Sequence, residues 1–432
     1  MTRLAVLACA LIVVAAPASA QSGKSVDALE AWIDAVKAHQ PGKTDRPVAF
    51  VGALKYSDRV ILNPAMMAFL AAVRGGATGT RSEQQNRIVE LYRAVRNDPG
   101  LSAFVRRAAV LHTDAAILRD RLPDFEDDAP TPDVNSRTSP SPLLANDLAI
   151  AHTDGRVVGR TALNWNWTFA RSLLDVLVPP DSSSGSFARS DIATTGDRLF
   201  VATWYHATSA YLLAIGKHGD LNGHLAHAAA VLPDDANVLF DRGCSAETLG
   251  LPAYQVLPGD AGYGNAATRI RIVVAPENRT DEEAETLFRR ALDVDPRYAE
   301  ARVRLARLLE RRGLHDEAAA QIEQALAGAP GDRVAYFAHL VAGRNELARG
   351  RAPDALAQYR AALAIFPDAQ SALLGASEAA VMNADVSGAR ALVQKLGDRT
   401  AALEADPWWS YILGAGRDVR ELMAALWARA PQ

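Results

Sequence analysis

The sequence predicts an all-α protein whose C-terminal half is a solenoid of stacked helical hairpins. Three observations favour this fold class. A pattern of small and large residues returns along the C-terminal half with a constant internal spacing. Glycine and proline stand where this pattern places the ends of helices. Apolar residues also recur with helical periodicity through much of the N-terminal half, which predicts helices there as well.

The repeated pattern is Ala, a large residue, Ala and Pro, at intervals of four, three and five positions. Its complete copies lie at Ala284, Phe288, Ala291 and Pro296, at Ala318, Ile322, Ala325 and Pro330, and at Ala355, Tyr359, Ala362 and Pro367. The same intervals hold Leu221, Leu225, Ala228 and Pro233 upstream, and the pattern fades downstream at Ala389, Val393 and Leu396. A generic Ala-rich bundle needs no fixed period, so the repetition favours hairpins that stack.

A looser pattern precedes each copy and indicates a first helix. Its middle carries a small residue, at Ser209, Gly243, Ala306, Gly343 and Ser377. Its end carries a glycine, at Gly216, Gly250, Gly313 and Gly350. Small residues let antiparallel helices approach closely, and the large residues of the second helix fill the seam between them. We expect the terminal glycines to adopt the left-handed conformation that ends the first helix.

Together the two patterns resemble the tetratricopeptide repeat, over about residues 202–403. The resemblance implies a solenoid of five hairpins, at about 202–235, 236–298, 299–332, 336–369 and 370–403. One hairpin cannot bury its own apolar face, so neighbours must stack. The second hairpin is interrupted by a Gly- and Pro-rich insertion at 251–280, with an alternating strand pattern at 269–274. We interpret this insertion as an ordered excursion.

The rest of the chain divides by composition. Residues 404–432 are predicted to be capping helices that close the exposed end of the stack, beginning at Asp406 and Pro407 and carrying Trp408, Trp409 and Trp427. Residues 21–119 are predicted to be an N-terminal helical region, and residues 120–146 a proline-rich acidic linker. Residues 147–201 read as a β-hairpin followed by a helix, and the hairpin can form a small sheet with 269–274. The N-terminal helices fit either degenerate repeats or a separate helical domain.

The first 20 residues have the three parts of a cleaved signal peptide. Arg3 supplies the positive charge, residues 4–16 the apolar stretch, and Ala18-Ser19-Ala20 the cleavage site. The apolar stretch is shorter than the roughly 20 residues that a membrane span needs. We therefore expect a periplasmic or secreted protein, cut after Ala20, with no stable membrane span. Its formal charge of −4 gives no reason to expect nucleic acid as a partner.

Candidate catalytic and metal-binding residues are few. His224 and His227 lie three positions apart on a predicted helix, a spacing that can place two imidazoles on one face. They are weak metal candidates because no carboxylate accompanies them in a known metal-binding pattern. His112 and Asp114 lie two positions apart and point to different helix faces. Cys244, the one cysteine after the predicted cleavage, is expected to be a core residue. We predict no catalytic residues and no cofactor.

The resemblance implies a partner-binding groove lined by the first helix of each repeat. Its lining positions here hold Glu300, Val303, Arg307 and Glu310, then Phe337, Leu340, Arg344 and Leu347, then Ser371, Leu374, Glu378 and Val381. Arg307 and Arg344 share one position in adjacent repeats and could together clamp a carboxylate. The alternative is two solvated surface arginines. The family's full carboxylate clamp is not matched. We expect partner contacts at Arg307, Arg344, Glu310, Leu340 and Glu378.

The sequence therefore favours an exported scaffold that binds a protein or peptide partner in this groove. One alternative is an envelope hydrolase or metalloenzyme that uses the histidines, with the repeats as a platform. Another is a subunit of an export or polymer-secretion assembly.

Overall fold

The computed structural model describes residues 194–251, 277–396 and 406–430, with scattered positions between 99 and 117 and between 170 and 179. All regular secondary structure among these residues is helical, which confirms the predicted fold class. The predicted β-hairpin and the strand at 269–274 lie outside the described residues. Two compact units are present, one formed by Met1–Trp204 with Met423–Gln432 and the other by Tyr205–Leu422.

Within these ranges we number the helices α1 to α12 along the chain. Their bounds are α1 Thr195–Ala214, α2 His218–Val231, α3 Ala236–Leu249, α4 Glu277–Val294, α5 Ala299–Arg311, α6 His315–Ala327, α7 Asp332–Ala348, α8 Ala352–Ile365, α9 Gln370–Met382, α10 Val386–Gln394, α11 Trp408–Ile412 and α12 Val419–Arg429. None of these helices is long and apolar enough to cross a membrane.

The first ten of these helices pair as hairpins in chain order. Helix α3 packs on α4, α5 on α6, α7 on α8 and α9 on α10, and His224 of α2 contacts Tyr205 of α1. Neighbouring hairpins also pack, because α4 contacts α5, α6 contacts α7 and α8 contacts α9. Two boundaries differ from the sequence prediction. Helix α4 begins at Glu277, inside the predicted insertion, and α7 begins at Asp332, four residues before position 336.

The seam between paired helices is built from glycines that face aromatic rings. A Cβ atom at Gly243 would lie 2.5 Å from Cε1 of Phe288. A Cβ at Gly343 would lie 2.7 Å from Cε1 of Tyr359, and one at Gly375 would lie 2.4 Å from the same atom. Both rings are buried. The predicted pairing of small residues in the first helix with large residues in the second is therefore present in the second and fourth hairpins.

Three of the four predicted turn glycines adopt the left-handed conformation. Gly216, Gly313 and Gly350 have φ of 69°, 75° and 73°. The prediction is wrong for Gly250, whose φ is −73° and whose N–H donates to the carbonyl of Ala246 at 3.1 Å. Here the chain continues into residues 251–276 and does not reverse directly into the second helix. Gly250 instead permits a close approach, because a Cβ would lie 2.4 Å from Oγ1 of Thr280 in α4.

The first unit contains helical residues where the sequence predicts them. The described positions between 102 and 117 and between 170 and 177 are helical. Nε1 of Trp204 donates a hydrogen bond to Oγ1 of Thr113, and both side chains are buried. Arg106 Nε lies 3.8 Å from the carboxylate of Asp197. These contacts join the helical residues around 102–113 to the first half of α1 within this unit.

Replacing Gly343 tests the seam. Gly343→Ala is expected to lower the free energy of unfolding by about 1–3 kcal/mol, because the added methyl overlaps the enclosed ring of Tyr359. Gly223→Ala in α2 is the matched control, since nothing lies within 4 Å of a Cβ there. It is expected to raise the free energy of unfolding by about 0.5–1 kcal/mol through helix propensity. Urea unfolding followed by circular dichroism measures both free energies. If both substitutions stabilise the chain, Gly343 is not packed closely against the ring of Tyr359.

Candidate protein-binding groove

One face of helices α3, α5, α7 and α9 is partly covered by the C-terminal end of the chain. We call this face the inner face and the segment Asp406–Asp418 the strap. The strap meets α9 at Asp406 and α3 at Arg417, so it runs opposite to the order of the hairpins. Both belong to the second unit.

Four charged side chains lie under the middle of the strap. Glu247 of α3 accepts hydrogen bonds from Nη1 of Arg304 and from Nη1 of Arg307, both at 2.8 Å. Oε1 of Glu300 lies 3.7 Å from Nε of Arg304 and balances the charge. All four residues are buried, and Arg304 is 0% exposed. Because buried ions are tolerated only when paired, this cluster fixes α3 against α5.

Two aromatic side chains of the strap cover the buried guanidinium groups. The Tyr411 ring lies 4.0 Å from the guanidinium of Arg304 and 4.0 Å from the centroid of the Phe337 ring. The carbonyl of Tyr411 accepts a hydrogen bond from Nη1 of Arg304 at 3.1 Å. The Trp408 ring stacks on Tyr411 with centroids 5.3 Å apart and lies 5.7 Å from the guanidinium of Arg307. The strap thus supplies cation–π contacts to both arginines.

Asp406 anchors the N-terminal end of the strap. Its carboxylate accepts hydrogen bonds from Oη of Tyr336 at 2.7 Å and from the backbone N of Ser371 at 2.7 Å. It also accepts a hydrogen bond from the backbone N of Trp408 at 3.0 Å. Burial and the neighbouring carboxylate raise the pKa of Tyr336 above its usual value, which keeps the phenol a donor. One side chain therefore joins α7, α9 and the first turn of α11.

Arg417 anchors the other end of the strap. Its Nη1 donates to the carboxylate of Asp241, which is fully buried. Nδ1 of His206 lies 2.9 Å from Oδ2 of the same carboxylate and 3.4 Å from Nη1 of Arg417. Burial alone would raise the pKa of Asp241, but His206 and Arg417 together lower it below its usual value. The Arg417 guanidinium also lies 4.8 Å from the Phe240 ring centroid.

The strap changes what the predicted groove residues can contact. Arg307 and Leu340 are buried, Glu310 is half-buried, and Arg344 and Glu378 are exposed. Arg307 is paired with Glu247, so it is not a solvated surface residue. Nη2 of Arg344 lies 3.2 Å from Oε2 of Glu310. The structure therefore pairs the two arginines with different internal carboxylates and does not direct them at a common one.

Trp408 lies elsewhere than the sequence analysis places it. It was expected to close the exposed end of the stack, but its ring contacts Phe337 of α7 and Arg307 of α5 in the middle of the repeats. Trp409, its neighbour, is 38% exposed. The reason is the buried pair of arginines, which offers an aromatic ring a cationic partner that the apolar end of a stack does not.

Part of the inner face is open beyond Asp406. Leu374 and Val381 of α9 are 46% and 56% exposed. Arg344 and Glu378 are exposed on neighbouring positions of the same predicted lining. We call these four residues the open face. It combines two apolar side chains with one positive and one negative charge.

The candidate metal and thiol residues have their own contacts. His224 is buried, and its Nε2 lies 3.2 Å from the carbonyl oxygen of Tyr205. His227 is half-buried. No group of three or more His, Cys, Asp or Glu side chains that could hold a metal ion occurs in the described part of the chain. The metal hypothesis stays a prediction, and His112 lies outside the described residues. Cys244 is buried, and burial raises its pKa to about 12.

Comparison with known protein families gives matches in the repeat part of the chain. Residues 282–342 and residues 340–404 each match the tetratricopeptide repeat family. Residues 282–404 are tetratricopeptide repeats. This confirms the family predicted from the sequence over that segment. As tetratricopeptide repeats, these hairpins form a protein-interaction scaffold.

Solved structures with similar folds are distant. The chain is similar to pilF of Pseudomonas aeruginosa, at 14% identity and a TM-score of 0.37, over 54% of this chain and 90% of that one. It is similar to yeast Tom70, at 13% identity and a TM-score of 0.34, over 94% of this chain and 79% of that one. It is similar to the tetratricopeptide repeat domain of P58(IPK), at 12% identity and a TM-score of 0.20, over 95% of this chain and 94% of that one. Among curated proteins, none matches this chain.

The anchor at Arg417 predicts a dependence of stability on pH. Because the pKa of Asp241 is lower in the folded chain, its contribution is present above the unfolded value of about 3.9 and is lost as pH falls through the folded pKa. Asp241→Asn is therefore expected to destabilise the chain at pH 7, with the difference from wild type shrinking below about pH 4.

Urea unfolding between pH 7 and pH 3 measures this difference. Glu283→Gln, which removes an exposed carboxylate of α4, is the matched control for loss of one negative charge. A difference between Asp241→Asn and wild type that stays constant over this pH range would contradict the anchor.

Proposed function

We propose that the chain is an exported tetratricopeptide-repeat scaffold that binds a protein partner at the open face. The observation that supports this most directly is the exposure of Leu374 and Val381 on α9, at 46% and 56%. Clustered exposed apolar side chains bordered by charges are typical of protein-interaction sites. Arg344 and Glu378 supply the charges here.

The open face continues a surface that already binds a protein segment. Ser371, whose backbone N–H binds Asp406 of the strap, lies one helical turn before Leu374 on α9. A partner segment over Leu374 and Val381 would therefore lie next to the strap on the same helix. The strap supports this proposal, because it is a short segment whose aromatic and charged side chains contact neighbouring helices of the same inner face.

The charges of the open face favour a partner segment of mixed character. The side chain of Arg344 is 45% exposed, whereas that of Glu310, its partner at 3.2 Å, is only 9% exposed. The guanidinium carries further N–H donors, so it can bind a partner carboxylate while its contact with Glu310 is kept. We propose a partner segment with apolar side chains for Leu374 and Val381 and an acidic group for Arg344.

Export is supported by the N-terminal pattern. Arg3, the apolar residues 4–16 and Ala18-Ser19-Ala20 follow the order of a cleaved signal peptide. On this proposal the scaffold acts in the periplasm or outside the cell. Its partner is then an exported protein or an envelope assembly.

Site-specific photocross-linking tests the open face. A photoreactive phenylalanine analogue at Leu374 of the full chain is expected to give one discrete adduct in the expressing cells. The same analogue at Gln324, exposed on the second helix of the third hairpin, is the matched control and is expected to give none. Arg344→Glu should lower the adduct yield from Leu374 several-fold, because it repels an acidic group. Equal yields from both positions would remove the proposed site.

The position of the mature N-terminus tests export. Mass spectrometry of the chain recovered from the envelope or the medium is expected to give Gln21 as the first residue. Ala18→Asp with Ala20→Asp should block processing, because the cleavage site needs small residues. Ser19→Asp, at the position between them, is the control. A chain that stays inside the cell with residues 1–20 attached would contradict export.

A further inference from the structure

We propose that the strap is a resident ligand, and that the inner face around Glu247, Arg304 and Phe337 takes a segment of a partner protein in exchange for it. The chemistry of the exchanged segment follows from the strap. It carries an acidic residue, then two aromatic residues three positions apart, then a basic residue, as Asp406, Trp408, Tyr411 and Arg417 do. This site is separate from the open face and goes beyond the proposed function.

The strap binds as a peptide binds, through side chains that enter a surface formed by other helices. The hairpins α3–α4, α5–α6, α7–α8 and α9–α10 are paired by contacts between their own helices. The strap adds a helix of five residues, α11, which contacts α5 at Arg304 and α7 at Phe337. Its ends are held by one carboxylate at Asp406 and one guanidinium at Arg417.

The strap leaves buried polar atoms of the site without hydrogen bonds. Nε and Nη2 of Arg304 and Nε of Arg307 are buried and make no hydrogen bond in this structure. Nε of Arg304 has only the distant carboxylate of Glu300, at 3.7 Å. An unsatisfied buried donor is destabilising, so a ligand that brings additional acceptors to these donors gains hydrogen bonds that the strap does not make. The site is thus able to make more hydrogen bonds than its resident ligand uses.

The strap is also uncovered on its outer side. Trp409 and Leu413 are 38% and 39% exposed, whereas Tyr411 between them is fully buried. Gly414 ends α11 with φ of 84°, and a Cβ there would lie 2.3 Å from Oγ1 of Thr248. The strap therefore lies close to α3 on one side and meets solvent on the other. Its departure exposes the aromatic and charged residues of the site without breaking a repeat helix.

A peptide-exchange experiment on the full chain tests the proposal. The probe is a fluorescein-labelled synthetic peptide with the sequence of residues 404–418. In the wild-type chain the tethered strap competes at a high effective concentration and the peptide binds weakly. The double variant Trp408→Ala, Tyr411→Ala weakens the strap, and fluorescence anisotropy is expected to show binding at least about tenfold tighter than wild type. Trp409→Ala, on the exposed side of the same helix, is the matched control and should bind like wild type.

A second peptide, carrying Trp408→Ala and Tyr411→Ala itself, should not bind the double variant. The proposal is overturned if a folded double variant, with wild-type helical circular dichroism, binds the first peptide no tighter than wild type does. In that case the strap is a structural element that a partner segment does not replace. The open face is tested through Leu374 and Arg344, so either idea can fail without the other.

Hydrogen exchange on the wild-type chain keeps the proposal testable if the double variant does not fold. The backbone N–H groups of Tyr411, Gly414 and Ala415 are hydrogen-bonded within the strap, and those of α5 lie beneath it. If the strap opens by itself, its amides exchange with a lower opening free energy than those of α5. If both sets of amides exchange with the same opening free energy, the strap leaves only on global unfolding. That result would overturn the proposed replacement of the strap by a partner segment.

Discussion

Glu247 accepts hydrogen bonds from two guanidinium groups of the neighbouring hairpin while it lies out of contact with water. Removing one member of such a buried pair typically costs about 3–5 kcal/mol, because the remaining charge is left without a partner. The contact joins α3, before the insertion, to α5, after it. Since the chain between these helices is long, side-chain contacts must fix their relative position. Glu247 adds a direct contact to the packing of α3 on α4 and of α4 against α5, and it holds Arg304 and Arg307 in place beneath the strap.

The position of the strap depends on this charged cluster. Two adjacent guanidinium groups with part of their hydrogen-bonding capacity unused form a surface that favours aromatic faces and carbonyl oxygens. Tyr411 offers both, through its ring and its carbonyl, and Trp408 covers the second arginine. The inner face is thereby divided. The part over α3, α5 and the start of α7 is covered, and the part around Leu374 and Val381 remains exposed.

The repeat part could be predicted because its signals are local. Gly243 with Phe288 and Gly343 with Tyr359 are small and large residues at positions that the repeat fixes, and the structure brings them together. The left-handed conformation predicted for Gly250 is wrong, because the insertion replaces the tight turn that would require it. The charged cluster could not be predicted. Glu247 and Arg304 are 57 positions apart, and no period relates them.

The strap could be predicted only in its parts. Asp406 and the aromatic residues after it indicate a helix start, but Arg304 and Tyr411 are 107 positions apart. The repeat pattern locates a groove without showing what fills it. Because the filling segment belongs to the same chain, the groove residues Arg307 and Leu340 are buried, whereas Arg344 and Glu378 are exposed. On the two proposals made above, an outside partner meets α9 first, and it reaches Arg304 only where its own aromatic residues replace Trp408 and Tyr411.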